Sequence, residues 1–67
     1  MTEFAWVIEL KPSVVTRPTY WGIDGEGELD WTPDGRGAIR FSRKEDAAKI
    51  IKYYGWTEAE AIEHWWG

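Results

Sequence analysis

Four carboxylates, Asp24, Glu26, Glu28 and Asp30, recur at every second residue, and Asp34 follows after Trp31-Thr32-Pro33. In an extended chain, side chains two residues apart project to one side at roughly 6.6–6.8 Å intervals. Negative charge at that pitch imitates a phosphate strand and would suit a groove rich in lysine and arginine. Gly25 and Gly27 put no side chains on the opposite face, so part of the run also reads as a loop. An EF-hand loop beginning at Asp24 would need Gly at its sixth place and Glu at its twelfth. Leu29 and Gly35 stand there, so calcium is not expected. Gly22, Gly25 and Gly27 lack the spacing that cradles phosphate, and no Lys-Ser or Lys-Thr pair follows them.

Catalytic chemistry finds little to work with. His64, the single histidine, lies beside Glu63, a pairing that could exchange protons. There is no cysteine nucleophile, Ser42 reads as a helix cap, and Ser13 sits in a proline-bounded loop without a nearby base. His64 is therefore expected to be a structural residue at a strand end, and no catalysis, cofactor or metal is expected. Six tryptophans could stack single-stranded bases or floor a sugar site. Trp6, Trp21 and Trp31 are expected in the core instead, because Leu, Val and Phe are few. Adjacent strand residues face opposite ways, so one of Trp65 and Trp66 should be partly exposed.

These side chains must be positioned by short elements. Phe4, Trp6, Ile8 and Leu10 alternate with smaller or charged residues, the two-residue period of a strand with one buried face. Pro12 and Pro18 bracket a connector, Lys11 to Thr19, because proline cannot donate to a ladder. A short second strand is expected over Thr19–Ile23, bounded by glycines. Leu29 and Trp31 alternate with Glu28, Asp30 and Thr32 in a half-buried third strand. Pro33-Asp34-Gly35-Arg36-Gly37 has the chemistry of a turn, and Ala38–Phe41 is expected as a fourth strand with Ile39 and Phe41 inward.

Ser42-Arg43-Lys44-Glu45 matches a capping box, and Ala47, Ile50, Ile51 and Tyr54 form one helical stripe ending at Gly55. This predicts a helix over 43–54. Thr57 to Gly67 reads two ways. Thr57-Glu58-Ala59-Glu60 repeats the capping pattern, with Ala59, Ile62 and Trp66 on one helical face, while Ala59–Trp66 also alternates as a strand.

Length and charge limit the rest. Sixty-seven residues make a single domain, 1–67, since so short a chain buries only about 60% of its unfolded surface. Without cysteine it has no disulfides, and aromatics, 16% of the residues, must supply the packing. Twelve acids against eight bases give a net charge of −4, the wrong sign for a general phosphate-backbone binder. Residues 1–35 carry seven acids and two bases, residues 36–56 six bases and two acids, and residues 57–67 three acids. The molecule should be bipolar, with a basic helix and an acidic sheet side. With neither a leader-like N-terminus nor a membrane-length apolar run, a soluble, cytoplasmic protein is expected.

Trp31-Thr32-Pro33-Asp34, Ala38-Ile39-Arg40-Phe41, Glu45-Asp46-Ala47-Ala48 and Ile62-Glu63-His64-Trp65-Trp66 together carry a resemblance. Over roughly its last two-thirds the chain resembles short proteins of bacteriophages and prophages, a pool that includes anti-CRISPR inhibitors. The resemblance implies a mobile-element context and an α+β fold in which the terminal segment joins the sheet as a strand. Several anti-CRISPR inhibitors are similar to DNA in charge and occupy the basic channel of a defence complex.

The expectation is therefore an α+β domain, an antiparallel sheet of four or five strands with one helix packed on one face. Its core should hold Phe4, Trp6, Ile8, Leu29, Trp31, Ile39, Phe41, Ala47, Ile50, Ile51 and Tyr54. The leading function is a non-enzymatic inhibitor presenting Asp24, Glu26, Glu28, Asp30 and Asp34 to a basic groove on a host protein or nucleoprotein complex, without binding nucleic acid itself. The alternative is a nucleic-acid-binding or phage accessory protein using Arg43, Lys44, Lys49 and Lys52 with an exposed Trp65 or Trp66.

Overall fold

A computed structural model describes residues 4–65. Among these residues, four antiparallel strands and one α-helix form the expected α+β fold. Strands β1 (Phe4–Leu10), β2 (Tyr20–Ile23), β3 (Leu29–Thr32) and β4 (Ala59–Trp65) lie in the order β3-β2-β1-β4, and helix α1 spans Lys44–Tyr54. The terminal segment is a strand, paired along all seven residues of β1 from Phe4↔Trp65 to Leu10↔Ala59.

Register assigns the two faces, because directly paired residues share a face and successive residues alternate. Trp6, Ile8, Leu10, Trp21, Trp31, Ala59 and Ala61 lie on the helix side. There Ile8, Ala47 and Ala59 form the buried centre, with Trp6, Phe41, Ile50, Ile51 and Trp56 packed around it. Val7, Glu9, Tyr20, Asp30, Glu60 and His64 occupy the far side.

The helix lies over β4 and β1, not over β2 and β3. Three residues expected in the core lie outside it. Leu29 is 50% exposed, since it pairs with Ile23 on the part of the sheet that the helix leaves uncovered. Phe4, at the end of β1, stacks on Trp65 in solvent. Tyr54 is half exposed because it closes the last helical turn and lies against Trp56 rather than beneath the helix. Trp65 meets the expectation of an exposed terminal tryptophan, while Trp66 lies outside the described residues.

Ala38–Phe41 is not a strand. It makes single bridges to two neighbours, Ala38 to Gly22 and Phe41 to Trp6, with both Trp6–Phe41 backbone hydrogen bonds at 2.8 Å. β1 and β2 pair only at Glu9↔Tyr20, and this segment links the two where they diverge. The crossing requires Gly22, because a Cβ there would collide with the Gly37 carbonyl oxygen and lie 2.7 Å from Ala38 Cα.

The helix starts at Lys44, one residue later than a Ser42 cap requires. Arg43 holds the cap position without a side-chain cap bond, and its guanidinium pairs with Asp46 at 2.9 Å. Gly55 ends the helix in the left-handed region, its N–H reaching the Ile51 and Lys52 carbonyls.

Candidate partner-binding surface

The acidic run does not form one straight row. Residues 24–28 turn the chain between β2 and β3, with the Asp24 N–H donating to the Glu28 carbonyl at 2.8 Å. Asp24 Oδ1 accepts the backbone N–H groups of both Glu26 and Glu28 at 2.9 Å, and Gly27 takes φ +80°. Aspartate favours this geometry because its short side chain reaches backbone two residues on, and glycine accepts positive φ without a Cβ clash. The turn replaces the extended spacing that the alternation predicts.

Asp34 is drawn out of the row as well. Its carboxylate accepts the Arg36 N–H at 2.9 Å, capping a short 3₁₀ turn, Gly35–Gly37. It also takes the Arg36 guanidinium on both oxygens, at 3.1 and 3.2 Å. Those bonds hold the Asp34 carboxyl below the usual carboxylate range, the side-chain bond contributing most. Its charge is locally balanced.

Glu26, Glu28 and Asp30 remain as exposed carboxylates on the turn and at edge strand β3. Asp30 accepts the Trp31 N–H at 2.7 Å, and it shares the far face with Glu9 and Glu60. Strands β1 to β4 contain no lysine or arginine, and their carboxylates are Glu9, Asp30, Glu60 and Glu63. The bases lie elsewhere. Lys44, Lys49 and Lys52 are exposed on α1, which also carries Glu45 and Asp46.

His64 pairs with Glu9, not with Glu63. Its Nε2–H donates to Glu9 Oε2 at 2.9 Å, and its ring meets Tyr20 edge-on at 5.5 Å. Glu63 faces the helix side, as a strand neighbour of His64 must. Burial and then the Glu9 charge push the Tyr20 phenol above its ordinary value. No sequence spacing announces this trio, since its members meet only through strand pairing.

A second feature is aromatic. Trp21, Trp31 and Trp56 meet pairwise at 4.8–5.3 Å with tilted or edge-on rings, and Tyr54 stacks on Trp56 at 4.5 Å. Trp56 follows the helix and covers the helix-side face of β2 and β3, where the helix body does not reach. Among the described residues, no three His, Asp or Glu side chains gather as a metal-binding group. No helix among them is long and apolar enough to cross a membrane.

Comparison with protein-family models, curated proteins and solved structures finds no match to this chain.

Proposed function

We propose that this chain is a non-enzymatic inhibitor that docks its acidic sheet edge into a basic, nucleic-acid-binding groove of a protein complex. In the mobile-element setting that the sequence resemblance implies, the groove belongs to a host defence complex of the kind anti-CRISPR proteins block. The observation that carries the reading is the sign of the sheet, whose strands contain acids and no lysine or arginine. Glu26, Glu28 and Asp30 concentrate this charge at the open edge, while Asp24 shapes the turn and Asp34 is balanced by Arg36. Complementary charge of this kind accelerates association and selects partners by sign.

The test compares wild type with a triple variant, Glu26→Gln, Glu28→Gln and Asp30→Asn, as baits in a bacterial lysate. Association with the captured complex is then timed across a salt series, with duplex DNA as competitor. The reading expects DNA to displace the wild-type chain and the variant to associate more slowly while keeping its circular-dichroism spectrum. Lys49→Gln with Lys52→Gln should leave association unchanged. Equal association by the acidic triple variant would reduce the acids to guards against edge-to-edge pairing.

A further inference from the structure

We infer that the hollow bordered by Trp31, Trp56 and Glu58 receives the guanidinium of an arginine side chain from the protein partner. The inference rests on the basic partner proposed above and names the contact that would anchor it. The hollow is open to solvent, measures roughly 320 Å³ and is lined by Leu10, Trp31, Gly55, Trp56, Thr57 and Glu58. That volume lies at the small end of ligand pockets, which run from about 300 to 1,000 Å³. It suits a side chain better than a larger ligand.

Its chemistry selects a cation. Trp31 and Trp56 form a corner, with centroids 4.8 Å apart and planes at 58°. Indole faces attract cations through their quadrupole, and a planar guanidinium can also stack on them. Glu58, an exposed acid, also lines the hollow. Its backbone carbonyl accepts the Lys11 N–H at 2.8 Å, which ties its main chain to the end of β1. Its side chain makes no ion pair with another described residue. The corner is also fixed beforehand: Tyr54 stacks on Trp56 at 11°, and Trp21 meets both indoles. The chain already uses this attraction internally, with Lys44 Nζ 5.6 Å from the Trp6 ring centroid. A nucleotide phosphate would meet repulsion from Glu58 and from the net charge of −4.

The test is residue-resolved NMR on the intact chain, following the indole N–H signals of Trp31 and Trp56. N-acetyl-arginine amide is titrated against its neutral isostere N-acetyl-citrulline amide and against methyl glucoside. Saturable shifts with the arginine probe are expected, with the citrulline probe about tenfold weaker. Glu58→Gln should weaken arginine binding roughly three- to tenfold. The Glu26, Glu28 and Asp30 amide variant should bind the arginine probe like wild type, which separates this pocket from the edge-docking reading. Shifts that never saturate, equal response to citrulline, preference for the glucoside, or an unaffected Glu58→Gln variant would each overturn the inference. If the edge still binds its partner in that case, the wider proposal stands without the pocket.

Discussion

Glu9 Oε2 and His64 Nε2 meet at 2.9 Å although fifty-five positions separate them in the chain. Register explains the contact. Glu9 pairs with Glu60, Val7 with Ile62 and Ala5 with His64 on the same face, so the bond passes over Val7, which is fully buried. A polar clasp thus closes the apolar middle of the sheet on the side without a helix. His64→Ala should lower unfolding free energy by about 1.5–3 kcal/mol, the usual value of a hydrogen bond to a charged group. A double-mutant cycle with Glu9→Gln in urea denaturation should return a coupling of about 0.5–2 kcal/mol. Strict additivity would show that the pair does not act as a clasp.

Burial ranks two aliphatic residues on the helix side of the sheet very differently. Ile8→Ala, at a fully buried site against Ala47 and Ala59, should cost about 2–5 kcal/mol. Leu29→Ala, at a half-exposed site, should cost less than about 1 kcal/mol. Chemical denaturation midpoints of the two variants test the placement of the helix over β1 and β4.

Gly22→Ala should be more harmful than its single methyl suggests. The new Cβ would meet the backbone of Gly37 and Ala38, which cannot rotate away as a flexible side chain could. Overpacking of this kind costs about 1–3 kcal/mol. Gly25→Ala, where the added Cβ meets nothing within 4 Å, is the matched control and should melt within a few degrees of wild type.

Asp34 and Asp46 should titrate below ordinary aspartate. Side-chain bonds from Arg36 and Arg43, respectively, are the main causes. A carboxyl whose pKa is depressed by folding binds its proton more weakly in the folded state. Its stabilisation is present above the unfolded aspartate value of about 4 and is lost as pH falls through the lower folded value. Carboxyl carbon shifts followed by NMR should give folded midpoints below that reference, with both depressions shrinking as salt rises because the pairs are exposed.

Local periodicity was enough to recognise β1 and α1. The alternation Phe4, Trp6, Ile8, Leu10 marks β1, and the stripe Ala47, Ile50, Ile51, Tyr54 with Gly55 marks α1, because strands and helices place neighbours by fixed short repeats. The five acids were legible as charge, and the terminal strand required the added hint of resemblance. Their arrangement was not legible. Whether Asp24 lies in a straight row depends on hydrogen bonds to Glu26 and Glu28, and whether Asp34 contributes net charge depends on Arg36. Leu29 has the pattern of a buried residue, yet burial requires a covering element, and the helix lies over different strands. Likewise Glu63, adjacent in the chain, was the visible partner for His64, while Glu9 is the real one. Residue type and short-range spacing were sufficient for β1, β2, β3, α1 and the excess of acid, but not for Ala38–Phe41, which alternates like a strand and makes only two isolated bridges. Which faces are covered and which carboxylates are paired follows instead from strand order and helix docking, which are set by packing between residues far apart in the chain.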